Sequence, residues 1–143
     1  MADPSPPAAP SRRDRARLIE AGVWLLLARI ALRTLSFARI AALAGGDVGA
    51  PQASAATAER IGKAVEMAAG RSPWPALCFE RALAAHAMLR RRGRASRLFY
   101  GAHNGDSRGP MAHVWVRSGD RAVVGGDEAA GFAILAAFPP IDR

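Results

Sequence analysis

The chain holds one cysteine, Cys78, and three histidines, His86, His103 and His113. Cys78 follows the segment Arg71-Ser72-Pro73-Trp74-Pro75-Ala76-Leu77, whose two prolines forbid helix until about residue 76. Residues 77–92 are strongly helical in pattern, so the cysteine falls in the first turn of a helix. There the unpaired backbone N–H groups and the helix dipole favour the thiolate, the form that attacks a carbonyl. The same N–H groups suit the oxyanion of an acyl-transfer intermediate. A cysteine at no special position is instead a small buried hydrophobe.

His113 lies within Ala112-His113-Val114-Trp115-Val116, an apolar strand in which His113 and Trp115 share one face while Val114 and Val116 share the other. A histidine there needs a hydrogen-bond partner. Paired with a helix-N-terminal cysteine it fits a thiol and general-base arrangement. A carboxylate must then orient the ring. With a hairpin turn centred on Gly119, Gly125 lies roughly opposite His113 and Asp127 just beyond. Asp120 sits in the turn itself, roughly 20 Å from His113 at about 3.3 Å per residue, and is excluded. Asp127 is therefore the expected third member, with Glu128 the alternative. His86 lies two helical turns past Cys78, roughly 12 Å away at about 1.5 Å per residue, and is expected to pack the helix. His103 falls in a polar loop and is expected to be solvated. The His and Cys spacings do not converge on a metal site, and a single cysteine excludes an internal disulfide.

The elements that position these groups are legible in outline. Residues 1–10 are rich in proline and small side chains and form a flexible leader without the continuous apolar run of a secretory signal. A helix begins near Ser11 and runs through residues 12–40, broken around 34–36. Its centre, Val23-Trp24-Leu25-Leu26-Leu27-Ala28, resembles a membrane span, but Arg29, Arg33 and Arg39 interrupt it short of the roughly 20 apolar residues a bilayer needs. Arg29 and Arg33 are expected on one face, with Trp24, Leu27, Ala31 and Leu35 opposite and covered by core or partner. Lying flat on a membrane is the secondary alternative.

Residues 45–51 form a loop. Residues 53–69 form a helix anchored by Ile61, Val65 and Met67 and stopped by Gly70. Strands follow over residues 95–101, 111–117 and 121–124, the last two joined at Ser118-Gly119-Asp120, with a final short strand over 132–138. Helices first and an antiparallel sheet afterwards make an α+β fold, with residues 11–143 as one domain: a helical part over 11–69 and the chemistry over 70–140.

The size of the chain, 143 residues with 50% hydrophobic and 22% charged, suits one core and excludes a disordered tail or a membrane bundle. The formal charge of +8 comes almost wholly from arginine, Lys63 being the only lysine. Aromatics make up 6% of the chain, too few to interleave with the cations as stacking platforms for nucleic acid, which is not expected as a partner. The run Arg90-Arg91-Arg92-Gly93-Arg94 fits a helix end with a glycine cap, its cations facing the last carbonyls. The alternative is a docking surface for an acidic partner.

A cysteine opening a helix, a histidine on the next strand and a carboxylate on the strand after it resemble transglutaminase-like, papain-related folds. Within them the sequence is similar to the lasso-peptide leader peptidases. The likeness is carried by Trp74-Pro75-Ala76-Leu77-Cys78-Phe79-Glu80-Arg81-Ala82-Leu83, by Met88-Leu89-Arg90-Arg91-Arg92-Gly93, by Ala112-His113-Val114-Trp115-Val116, and by Val123-Val124-Gly125-Gly126-Asp127 with the closing Phe138-Pro139. It covers residues 70–140 closely. It implies a cytoplasmic cysteine peptidase with no cofactor, acting on a ribosomally made precursor peptide. In that role Cys78 attacks the bond between leader and core, His113 moves the proton and Asp127 holds the ring, with Trp74 and Trp115 as candidate substrate contacts. The resemblance further implies a separate leader-recognition protein supplied in trans, this chain having no room for one, and work alongside a macrolactam synthetase; the apolar N-terminal helix could dock the recognition protein, the synthetase or a membrane surface. Two other functions fit the same residues: acyl transfer to an amine by the same triad, and a non-catalytic basic adaptor for an acidic peptide.

Overall fold

Serines set the helix starts. In the computed structural model, which describes residues 9–45, 49–103, 111–126, 129 and 131–141, Ser11 opens helix α1 (Arg12–Thr34) with a reciprocal capping box: its hydroxyl accepts from the Asp14 N–H and its own N–H donates to the Asp14 carboxylate. The expected break falls at Leu35–Ser36, where Ser36 caps helix α2 (Phe37–Ala44). Ser54 caps α3 (Ala55–Arg71), and α4 spans Cys78–Arg91. Strands β1 (Arg97–His103), β2 (Met111–Ser118), β3 (Arg121–Val124) and β4 (Ala133–Phe138) complete the chain. They form one antiparallel sheet in the order β3-β2-β1-β4. The fold is α+β, as expected.

The elements stack in layers. Helix α3 packs on β3 and α4 on β2, while α1 lies across α3 and α4. Leu25, Ile61, Val65, Met88, Leu89, Leu98 and Val116 fill the core, with many alanines between the helices. Those small side chains let the helices approach closely. The closest approach is at Gly62, where a Cβ would run into the Val123 carbonyl oxygen, so α3 lies directly on the β3 backbone.

Several expectations are corrected. The inner face of α1 is Ala21, Leu25 and Ala28, and Leu27 is exposed. The pairing of Arg29 with Glu80 of α4 removes the need to turn that cation to water, so the helix is rotated from the expected face. Met67 is also exposed, and Gly70 lies inside α3, which ends one residue later. His103 is not in a solvated loop: it closes β1, edge-on to Phe132 with ring centroids 4.4 Å apart. Of the leader expected over residues 1–10, residues 1–8 lie outside the described residues, as do residues 104–109 of the expected loop.

The arginine run does structural work as well as capping. Arg91 and Arg92 both bind the Glu20 carboxylate of α1, and Arg90 donates to the Leu43 carbonyl of α2. Burial works against the Glu20 charge, but the hydrogen bonds from Arg92 and Arg91 outweigh it and lower the pKa to about 2. His86 packs the helix, as expected. Its Nε2–H donates to the Ala44 carbonyl (2.7 Å) and its Nδ1 meets the Ser96 hydroxyl (2.6 Å).

Candidate active site

Cys78 is the first residue of α4 and is exposed. Leu77 precedes it without a side-chain cap, and the first backbone bond of the helix is Arg81 N–H to Leu77 O at 3.1 Å. The N–H groups of Cys78, Phe79 and Glu80 therefore lie ahead of the helical ladder. The approach to the cysteine is pinned from two sides. The Ser72 hydroxyl contacts the Ala69 and Trp74 carbonyls. Trp74 Nε1–H donates to Glu80 Oε2 at 3.0 Å, and Arg29 reaches Glu80 Oε1 at 3.4 Å while lying 5.2 Å above the Trp74 ring. Glu80 is only 2% exposed, so an otherwise costly buried carboxylate is held by an indole N–H and a guanidinium. This three-residue cluster joins α1 to the first turn of α4, two residues from the thiol.

His113 is buried in β2. Its ring stacks on Trp115 (5.7 Å between centroids, 20° between planes), which stacks in turn on Phe99, and Phe132 tilts against it at 5.4 Å. Its Nε2–H donates to the Gly125 carbonyl at 2.9 Å. A carbonyl only accepts, so this bond places the proton on Nε2 and makes Nδ1 the basic nitrogen of the neutral ring. Gly125 has φ +72°, and a Cβ there would lie 3.1 Å from each of His113 Nε2, Trp115 Cβ and the Val114 carbonyl oxygen. Glycine is required for that carbonyl to come so close to the imidazole.

Cys78 and His113 line one cavity of about 830 Å³ between α3, the start of α4 and the β2–β3 ribbon. Small residues form much of its wall: Ala58 and Gly62 from α3, Ala122 from β3, then Gly125 and Gly126. Beside Arg121 of β3, two ion pairs bring charge to the wall. Glu59 meets Lys63 at 3.2 Å along α3, and Glu66 crosses to Arg81 of α4 at 2.8 Å. The thiol and the imidazole are thus reached from one open cleft.

Trp74 and Trp115, expected as substrate contacts, do not line this cavity. Trp74 lines a separate cleft with Leu18, Gly22 and Leu25 of α1, and Trp115 is buried behind the imidazole. Each supports a catalytic candidate from behind because each has a better partner there: Glu80 for the indole N–H, and the Phe99 and His113 rings for Trp115. Asp127 and Glu128 lie outside the described residues. Asp120 lies in the turn between β2 and β3 and accepts from Gln52. Sequence reasoning missed Glu80 and the Gly125 carbonyl. The signal for Glu80 was an acid in the first turn of the cysteine's own helix; the carbonyl had none, since every residue carries one. Among the described residues no group of three or more His, Cys, Asp or Glu side chains is placed to hold a metal.

The fold is thus α+β, with a helix-borne cysteine and a strand-borne histidine lining one cleft. The chain belongs to the transglutaminase-like superfamily, whose sequence profile matches residues 22–137. That membership fits cysteine peptidase or acyltransferase activity. Neither curated proteins nor solved structures yield a match.

Proposed function

We propose that this protein is a cysteine peptidase that removes the leader from a ribosomally synthesised, lasso-type precursor peptide. The observation that carries the proposal is the shared cleft of Cys78 and His113, with the imidazole proton fixed on Nε2 by the Gly125 carbonyl. His113 Nδ1 takes the thiol proton, and the Cys78 thiolate adds to the scissile carbonyl. The oxyanion is received by N–H groups at the start of α4. The imidazolium then protonates the leaving amine, and water hydrolyses the thioester with His113 again as base. Asp127 is proposed as the carboxylate that stabilises the charged ring, with Glu128 as its alternative. A separate leader-recognition protein delivers the precursor, the macrolactam synthetase takes the freed core peptide, and the setting is the cytoplasm.

The test is incubation of the wild type and Cys78→Ala with a precursor peptide and its recognition partner, followed by product masses. The expected result is a leader ending in a free carboxylate, absent with the alanine variant. Cleavage by Cys78→Ala would end the proposal. A product mass raised by an added amine, in place of hydrolysis, would assign the site to acyl transfer instead.

A further inference from the structure

Helix α1 is apolar on two faces. Its inner face is covered by α3 and α4. Its outer face carries Ile19, Val23, Leu26, Leu27 and Ile30, each between 47% and 68% exposed. Their spacing of four, three and four residues along 19, 23, 26 and 30 makes one straight stripe, roughly 16 Å long at about 1.5 Å per residue. A helix that is apolar all round is ordinarily buried.

The frame of the stripe is cationic. On the 100° helical repeat Arg12 and Arg15 continue it at one end and Arg33 at the other, and all three are exposed. Arg91 of α4 flanks it through Glu20. The two acids of α1 are both engaged, Asp14 by Arg17 and Glu20 by Arg91 and Arg92. A second copy of the chain is a poor occupant, because antiparallel pairing of two such helices sets Arg12 and Arg15 against Arg33, and parallel pairing sets like ends together. The complement is an anionic surface. The stripe is wholly aliphatic, without the aromatic anchors of a protein hot spot, and is too narrow for the roughly 800 Å² per partner of a stable protein interface. Lipid needs neither. No described helix is long and apolar enough to cross a membrane, so the helix would lie along the surface rather than span it.

We propose that the outer face of α1 docks the protein on an anionic lipid bilayer, with Ile19, Val23, Leu26, Leu27 and Ile30 entering the headgroup boundary and the flanking arginines binding lipid phosphates. Because α1 sits on the side of α3 and α4 away from the sheet, the Cys78 cleft stays open to solvent when the protein is docked.

The test is co-sedimentation of the full chain with vesicles of phosphatidylcholine alone or containing 30% phosphatidylglycerol, at about 0.1 M salt. Anionic vesicles are expected to bind at least tenfold more tightly than neutral ones. Leu26→Gln/Ile30→Gln should lose at least tenfold, and Arg12→Gln/Arg15→Gln about 25-fold, at about fivefold per arginine. All four positions are exposed, so far-UV circular dichroism and the thermal midpoint should stay at the wild-type values. Cys78→Ala should bind as wild type does, which separates this result from the fate of the peptidase proposal. Equal binding to both vesicles, full binding by the glutamine stripe variant, or no binding to anionic vesicles would each overturn the proposal. In the last case, salt-sensitive binding of an acidic amphipathic peptide would reassign the face to a protein partner.

Discussion

Replacing Gly125 by alanine tests how the imidazole is held. The backbone at Gly125 has φ +72°, a conformation that costs an L-residue about 1–2 kcal/mol. The new Cβ would meet three atoms at 3.1 Å, one of them His113 Nε2. Relieving that crowding moves the carbonyl off the ring, and the hydrogen bond given up is worth about 1 kcal/mol. Together these predict a loss of about 2–3 kcal/mol, or a thermal midpoint lower by roughly 6–12 °C for a domain of this size. Precursor cleavage should fall by more than tenfold under conditions where the variant is fully folded, because the proton on Nε2 loses its acceptor and the basic nitrogen is no longer defined. Gly22→Ala is the matched control. Gly22 is helical with open space around its Cα, so alanine there should stabilise by about 0.5–1 kcal/mol and leave cleavage unchanged. A Gly125→Ala protein with wild-type midpoint and wild-type kcat/KM would refute the reasoning.

Two further perturbations probe the supports of the site. Burial, with a smaller contribution from Arg90, lowers the His86 pKa to about 4 despite the Ala44 carbonyl that favours the charged ring. The unfolded chain takes up this proton near pH 6.5 and the folded chain only near pH 4, so stability should fall by roughly 3 kcal/mol as pH drops through that window. Urea unfolding at pH 7, 5.5 and 4 measures it, and His86→Gln should flatten the slope; equal stability at pH 7 and pH 4.5 in the wild type contradicts the assignment. Glu80→Ala strands the Trp74 N–H and the Arg29 guanidinium and should cost about 2–3 kcal/mol. Combined with Arg29→Ala it should cost at least 0.5 kcal/mol less than the sum of the singles. Strict additivity in thermal melts would mean that the ion pair does not couple α1 to α4.

The sheet and the helix starts were legible because local chemistry writes them: the side-chain oxygens of Ser11, Ser36 and Ser54 each accept a hydrogen bond from a backbone N–H of the first turn, and the alternation from 111 to 117 continues into a full strand. The cysteine at the head of a helix followed from Pro73 and Pro75 alone. The orientation of α1 was not legible, since both of its faces are apolar and only the distant Glu80 decides which side Arg29 takes. The β2–β3 register was only approximate. A bulge between Val116 and Arg117 opposes Val116 to Val124, one residue beyond the regular hairpin, and no residue type announces it. The packing of Trp74 and Trp115 also escaped, because a tryptophan near a cysteine or histidine has the same sequence signature whether it lines a cleft or stacks behind it.

That distinction bears on how the site is built. Cys78 and His113 come from unlike elements: an exposed first turn with no side-chain cap, and the inner strand β2, flanked by β1 and β3. Each is fixed from behind by a tryptophan. Trp74 and Glu80 hold the turn to α1, while Trp115 and Phe99 set the plane of the imidazole. The cleft between them alternates small residues, Ala58, Gly62, Ala122, Gly125 and Gly126, with the charged side chains of Glu59, Lys63, Glu66, Arg81 and Arg121, so its walls combine room for a main chain with charges that a bound segment would have to match.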